Sequence, residues 1–90
     1  MAYREKTKSA VKASPLNLGS RLGRRAVSLG VSVIDLARFT GATRKTCYNW
    51  ITGGFVISAY RPRVEAVYEV LKTAKTHEEA LRAAAKKFKV

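Results

Sequence analysis

The sequence predicts an all-α protein: a compact five-helix domain over residues 16–90, preceded by a flexible basic arm over residues 1–15. Three observations carry that prediction. From Leu16 onward apolar residues recur at spacings of three and four, which gathers them on one face of a helix. No segment sustains the alternation of a half-buried strand, and the nearest approach, Phe55-Val56-Ile57, is long enough only for a short extended stretch or wing. Each helical stretch is also bounded by residues that start or stop helices.

The elements follow in order. Residues 1–15 mix Lys, Ser, Thr and Ala around Tyr3 and Val11 without a periodic apolar face. Pro15 closes them off by driving its predecessor toward extended backbone, and an untethered terminus is disordered by default. Leu18, Leu22, Ala26 and Leu29 then make one apolar stripe that ends at Gly30, a natural helix stop. Ser32, followed three residues later by Asp35, is a helix start, and Val33, Leu36, Ala37 and Thr40 continue its inner face up to Gly41. Thr43 caps a third helix with Cys47, Trp50 and Ile51 on one side, ending at Gly53-Gly54. After a loop over residues 55–59, Pro62 occupies the first turn of a fourth helix whose inner face is Val64, Val67, Tyr68 and Leu71. Thr76 and Glu79 form a capping box for the last helix. Its Ala80, Leu81, Ala84 and Phe88 face inward, and Lys86, Lys87 and Lys89 suit its C-terminal dipole.

Composition narrows the function class. Eighteen Lys+Arg against six Asp+Glu give the 90 residues a net +12, so the expected partner is a polyanion, held by counterion release and electrostatic steering. At 47% hydrophobic the chain is too apolar for a purely disordered basic tail. It has no run of about 18–20 apolar residues and no signal-peptide pattern. The expectation is therefore a soluble cytoplasmic protein, associated with the nucleoid of a bacterial or phage-infected cell, with no membrane partner. A single cysteine excludes an internal disulfide and a cysteine-based zinc site. No carboxylate pair with histidine, no glycine-rich phosphate loop and no cluster at metal-ligand spacing is visible. The expectation is no catalysis, no metal, no cofactor and no small-molecule substrate. His77, in the first turn of the last helix, reads as a surface residue.

The informative stretch is residues 30–53, GVSVIDLARFTGATRKTCYNWITG. Two short helices flank a turn around Gly41, and small Ala37 sits where helices must approach closely, which is the pattern of a helix–turn–helix over about residues 32–53. On a helical wheel Arg44, Lys45, Tyr48, Asn49 and Thr52 form an arc opposite Cys47, Trp50 and Ile51, so side chains that do not pack inward share one exposed face. Their chemistry suits a major groove. Arginine pairs bidentately with guanine O6 and N7, asparagine with adenine N6 and N7, and lysine takes guanine or a phosphate.

This stretch resembles the lambda-repressor-like (Cro/repressor, XRE-type) DNA-binding family. Gly30-Val31-Ser32, Leu36-Ala37, Thr40-Gly41, Thr43 and Trp50-Ile51-Thr52-Gly53 stand where that family has Gly-apolar-Ser, Leu-Ala, Thr-Gly, a Ser/Thr cap and Trp-x-x-Gly. The likeness covers about residues 18–71. It implies a sequence-specific regulator of transcription, of the phage repressor or Cro type, that binds double-stranded DNA as a homodimer on an inverted repeat. The positions that reach base edges in the family fall here on Arg44 and Lys45, with Asn49 one turn later and Tyr48 beside it. Candidates for phosphate are the hydroxyls of Ser32, Thr43, Thr46 and Thr52, and Arg21, Arg24, Arg38, Arg61 and Arg63, since their elements flank the DNA backbone in such a fold. Two departures stand out. Val33 replaces a glutamine that often holds a phosphate, and Ala26 with Ile51 replaces a buried Arg–Glu pair; losing both partners together leaves no orphan charge. The alternative function is a DNA-packaging (small-terminase-like) or architectural protein of weak specificity, because the arm and the charge exceed what a minimal operator binder needs. A basic RNA-binding protein, supported by charge alone, and an antitoxin rank behind both.

Overall fold

The structure, a computed structural model, describes residues 3–89; Met1 and Ala2 of the predicted arm and Val90 of the last predicted helix lie outside the described residues. The described chain is all helical: α1 Glu5–Ala13, α2 Leu18–Leu29, α3 Val33–Thr40, α4 Arg44–Ile51, α5 Arg61–Thr73 and α6 His77–Phe88. There are six helices where five were expected, and the additional one is α1, inside the segment expected to be a flexible arm. Two anchors hold it. Tyr3 and Val11 are buried in the core, and the Tyr3 hydroxyl donates to the Val31 carbonyl at 2.7 Å, tying the start of the chain to the α2–α3 turn. At the other end the Arg24 guanidinium donates to the Lys12 and Ser14 carbonyls at 2.8 and 3.3 Å, closing the C-terminus of α1.

Burial pushes the Tyr3 phenol above its ordinary value, with Tyr48, Cys47 and Asp35 adding to the effect. Below pH 10 the phenol is neutral whether the chain is folded or not. Above it the unfolded chain ionises while the folded one keeps its proton, so the stability Tyr3 contributes is lost as pH rises past its ordinary value. The melting temperature of the native protein is therefore expected to fall more steeply than that of Tyr3→Phe between about pH 9 and 11. Parallel slopes in a pH series of thermal melts would show that the phenol is not buried.

The remaining elements start and stop as the sequence predicts, with one shift. α2 begins at Leu18 because Asn17 caps it: its side chain accepts from the Ser20 N–H, and the Ser20 hydroxyl accepts from the Asn17 N–H, each at 2.9 Å. Ser32, Thr43 and Thr76 cap α3, α4 and α6, each accepting the N–H three residues on at 3.1 Å; the expected capping box at α6 is only half formed, since the Glu79 carboxylate does not return to the Thr76 N–H. Gly30 and Gly41 close α2 and α3 at φ 75° and 77°, where a side chain would be strained. Residues 54–57 form no strand, so no wing is present; Val56 plugs into the core while Phe55 and Ile57 stay exposed.

α2 is the central element. It packs on α1, α4 and α5, while α3 packs against α4 and both α5 and α6 cover α3. Trp50, Phe39, Leu22, Leu36, Ile51 and Leu71 fill the core, and the Trp50 and Tyr60 rings meet edge-on at 5.3 Å. α2 and α4 come into backbone contact where they cross. A Cβ on Gly19 would stand 2.5 Å from the Trp50 carbonyl oxygen, and one on Gly23 2.5 Å from Ile51 Cβ and 2.9 Å from its Cα. Among the described residues no helix is long and apolar enough to cross a membrane.

Candidate nucleic-acid interface

α4 is held from behind. Cys47, Trp50 and Ile51 are buried, and the two α2 glycines let its backbone seat directly on α2. The Cys47 thiol, pushed up by burial against the opposing effect of its 3.7 Å contact with the Thr40 hydroxyl, is part of this packing. The opposite side of α4 carries Arg44, Lys45, Tyr48, Asn49 and Thr52, all exposed. Among the described residues the Arg44 and Lys45 side chains form no hydrogen bond or ion pair, so both charges are available to an outside partner at the helix N-terminus, where the dipole also favours an anion.

Asn49 is placed by a residue that the sequence pattern marked only as a helix stop. Its amide lies over Gly54, where any Cβ would collide with the Asn49 amide nitrogen and stand 2.5 Å from the Asn49 carbonyl oxygen. The Gly54 N–H donates to that oxygen at 2.7 Å. The glycine is thus needed for close approach at Asn49.

The candidate phosphate ligands divide. The Ser32 hydroxyl faces its own cap, accepting from the Asp35 N–H and donating to the Asp35 carboxylate, both at 3.1 Å. Thr43 donates to the hydroxyl of half-buried Thr46 at 2.9 Å, and Thr52 donates back to the Tyr48 carbonyl at 2.7 Å. The hydroxyl protons of Ser32, Thr43 and Thr52 are thus engaged within the motif, while Thr46 acts as an acceptor. Arg38 sits 3.6 Å from Asp35 and over the Phe39 ring, and Arg61 lies 3.8 Å from Glu65; both remain exposed. Arg63 closes α3 instead, donating to the Phe39 carbonyl at 2.8 Å and lying over the Phe88 ring. Arg25 does the same for α5, donating to the Leu71 and Ala74 carbonyls at 2.8 and 2.5 Å. With Arg24 on α1, three arginines thus cap helix C-termini contributed by other parts of the chain, a use that spacing along the sequence does not reveal. Arg21 and Arg24 stand on the outer side of α2, away from α4.

The structure therefore brings Arg44, Lys45, Tyr48 and Asn49 onto one exposed face of α4, while Arg21 and Arg24 stand on α2 and Arg63 is committed to the end of α3. Tyr3 reaches the back of this motif through its bond to Val31; the signal for it was an aromatic residue in an otherwise polar segment. Comparison with protein-family models, curated proteins and solved structures finds no match to this chain.

Proposed function

We propose that this protein is a sequence-specific, double-stranded DNA-binding regulator of transcription that lays α4 in the major groove. The observation that carries the reading is the exposed face of α4: two uncommitted cations in the first turn, then Tyr48 and Asn49 one turn on, with the opposite face fixed in the core. That combination gives donors and acceptors suited to base edges a rigid support, and the net +12 supplies affinity for the backbone. Backbone contacts fall to Arg38 and Arg61 and to the N–H groups at the starts of α3 and α4. The protein acts as a dimer on an inverted repeat; exposed Leu16, Phe55 and Ile57 give it apolar surface to cover in such a pair.

The experiment is selection of bound duplexes from a random pool at about 150 mM salt, where non-specific contacts weaken. An enriched inverted repeat is the expected result. Tight binding without enrichment would overturn the sequence-reading function and leave the packaging or architectural role in its place.

A further inference from the structure

Apart from Arg61 and Phe55, which border it at the α5 end, the outer face of α2 takes no part in that reading. Arg21, Arg24 and Ser28 are exposed there, and at about 100° per residue they stand roughly half a turn from Gly19 and Gly23. Those glycines press on α4, and α4 carries Arg44, Lys45, Tyr48 and Asn49 on the side away from α2. Two cationic faces thus look in opposite directions across the α2–α4 pair.

The α2 face carries shallow hollows. Three hollows of about 240, 310 and 590 Å³ lie side by side, the first against α1 and the others against α5. They share walls: Arg24 and Ser28 divide the first from the second, and Arg21 and Tyr68 the second from the third. Lys12 lines the α1 end and Lys72 the α5 end. α2 itself has three arginines and no carboxylate. The carboxylates lining the hollows, Glu65 and Glu69, lie at the α5 end, and Glu65 faces Arg61. The side chains of Lys12, Arg21 and Lys72 form no hydrogen bond or ion pair among the described residues, and Arg24 commits a single guanidinium nitrogen to α1. The large exposed apolar side chain lining the strip is Phe55, at one extremity, so the strip lacks the continuous apolar surface that insertion into a membrane needs.

We propose that this strip is a second phosphate-binding face that holds the backbone of a second DNA duplex, so that one copy of the protein bridges two duplexes on its opposite sides. The proposal rests on the α4 reading for the first duplex. Asn17, the amide that lines the strip, donates its Nδ2 to the Gly53 carbonyl and accepts the Ser20 N–H on its Oδ1. The cations lie spread over a shallow surface, not along one helix edge that enters a groove, so the second duplex is gripped through its phosphates without sequence preference.

The test uses the full chain, a biotinylated duplex on beads and a fluorescent second duplex of unrelated sequence. Native protein is expected to retain the second duplex at about 100 mM salt. The triple variant Lys12→Gln, Arg21→Gln, Lys72→Gln is expected to lose that capture by about tenfold or more, while its affinity for a single duplex falls by no more than about threefold. None of these side chains makes a hydrogen bond or ion pair among the described residues, and thermal melts are expected to lie close to the native protein's. A charge-matched variant in the α5–α6 linker and on α6, Lys75→Gln, Lys86→Gln, Lys87→Gln, is expected to keep capturing. Equal loss in both triples, undiminished capture in the first, or capture of phosphatidylserine vesicles in place of the second duplex would overturn the proposal. Arg44→Gln with Lys45→Gln separates the two readings: if that pair leaves single-duplex affinity unchanged, the α4 reading fails, whatever the α2 face does.

Discussion

Gly23→Val is expected to cost about 3 kcal/mol or more, and with it some 12–24 °C of melting temperature for a domain of this size. The valine Cβ would fall 2.5 Å from the Ile51 Cβ and 2.9 Å from the Ile51 Cα, so relief requires the α4 backbone itself to retreat from α2. Gly23→Ala is the sharper version of the same prediction. In an exposed helix interior that change stabilises by about 1 kcal/mol through helix propensity. Here the sign reverses, because the added carbon meets a main chain that cannot swing aside. A thermal melt followed by circular dichroism reads both variants, and a stabilised Gly23→Ala would mean that α2 and α4 are not in backbone contact. Since α4 carries the proposed reading face, any surviving fold of Gly23→Val is also expected to bind DNA poorly.

The second large effect concerns α4 alone. Arg44→Ala is expected to weaken binding to the selected site by roughly 5- to 150-fold, the range of about 1–3 kcal/mol for a good bidentate contact, while affinity for random duplex falls only a few-fold. Asn49→Ala is expected to behave in the same way and to relax preference at one base pair. Both residues are exposed and neither packs in the core, so the melting temperature should hardly move. Titrations of selected and random duplexes at matched salt make the comparison; equal losses on both would place Arg44 and Asn49 on phosphates and remove the basis for sequence reading. Gly54→Ala is expected to disturb the same position in a second way, because its new Cβ would meet both the Asn49 amide and the Asn49 main-chain oxygen and shift side chain and backbone together.

The contrast between α1 and the later helices shows what local pattern can reveal. From α3 to α6 the periodic apolar faces, the Ser and Thr caps and the terminal glycines all act within a few residues of one another, so the elements are legible directly from the chain. Even the exposed arc on α4 follows from which of its residues are inward. α1 has no such signature: Arg4 supplies no side-chain cap, and Tyr3 and Val11 are its two buried apolar anchors. Its helix is stabilised by a hydroxyl reaching Val31 and a guanidinium reaching back from Arg24, contacts separated by 28 and 10 to 12 residues.

The basic residues divide for the same reason. By type and spacing Arg21, Arg24, Arg38, Arg61 and Arg63 are equivalent candidates for a phosphate, because a guanidinium's five donors suit a carbonyl as well as an anion. Which ones face solvent depends on where other helices end. Arg24, Arg25 and Arg63 meet the open carbonyls of α1, α5 and α3, while Arg21 meets none. Gly19 and Gly23 make the complementary case: within α2 they only weaken a helix, and their use becomes visible once Trp50 and Ile51 lie against them. The sequence by itself determined the helical class, the approximate extents of five helices and the polar face of α4, all governed by interactions between near neighbours. Tertiary structure alone decided that the N-terminal segment is a sixth helix, which cations remain available, and that the two cationic faces point apart, because each depends on side chains brought together from distant parts of the chain.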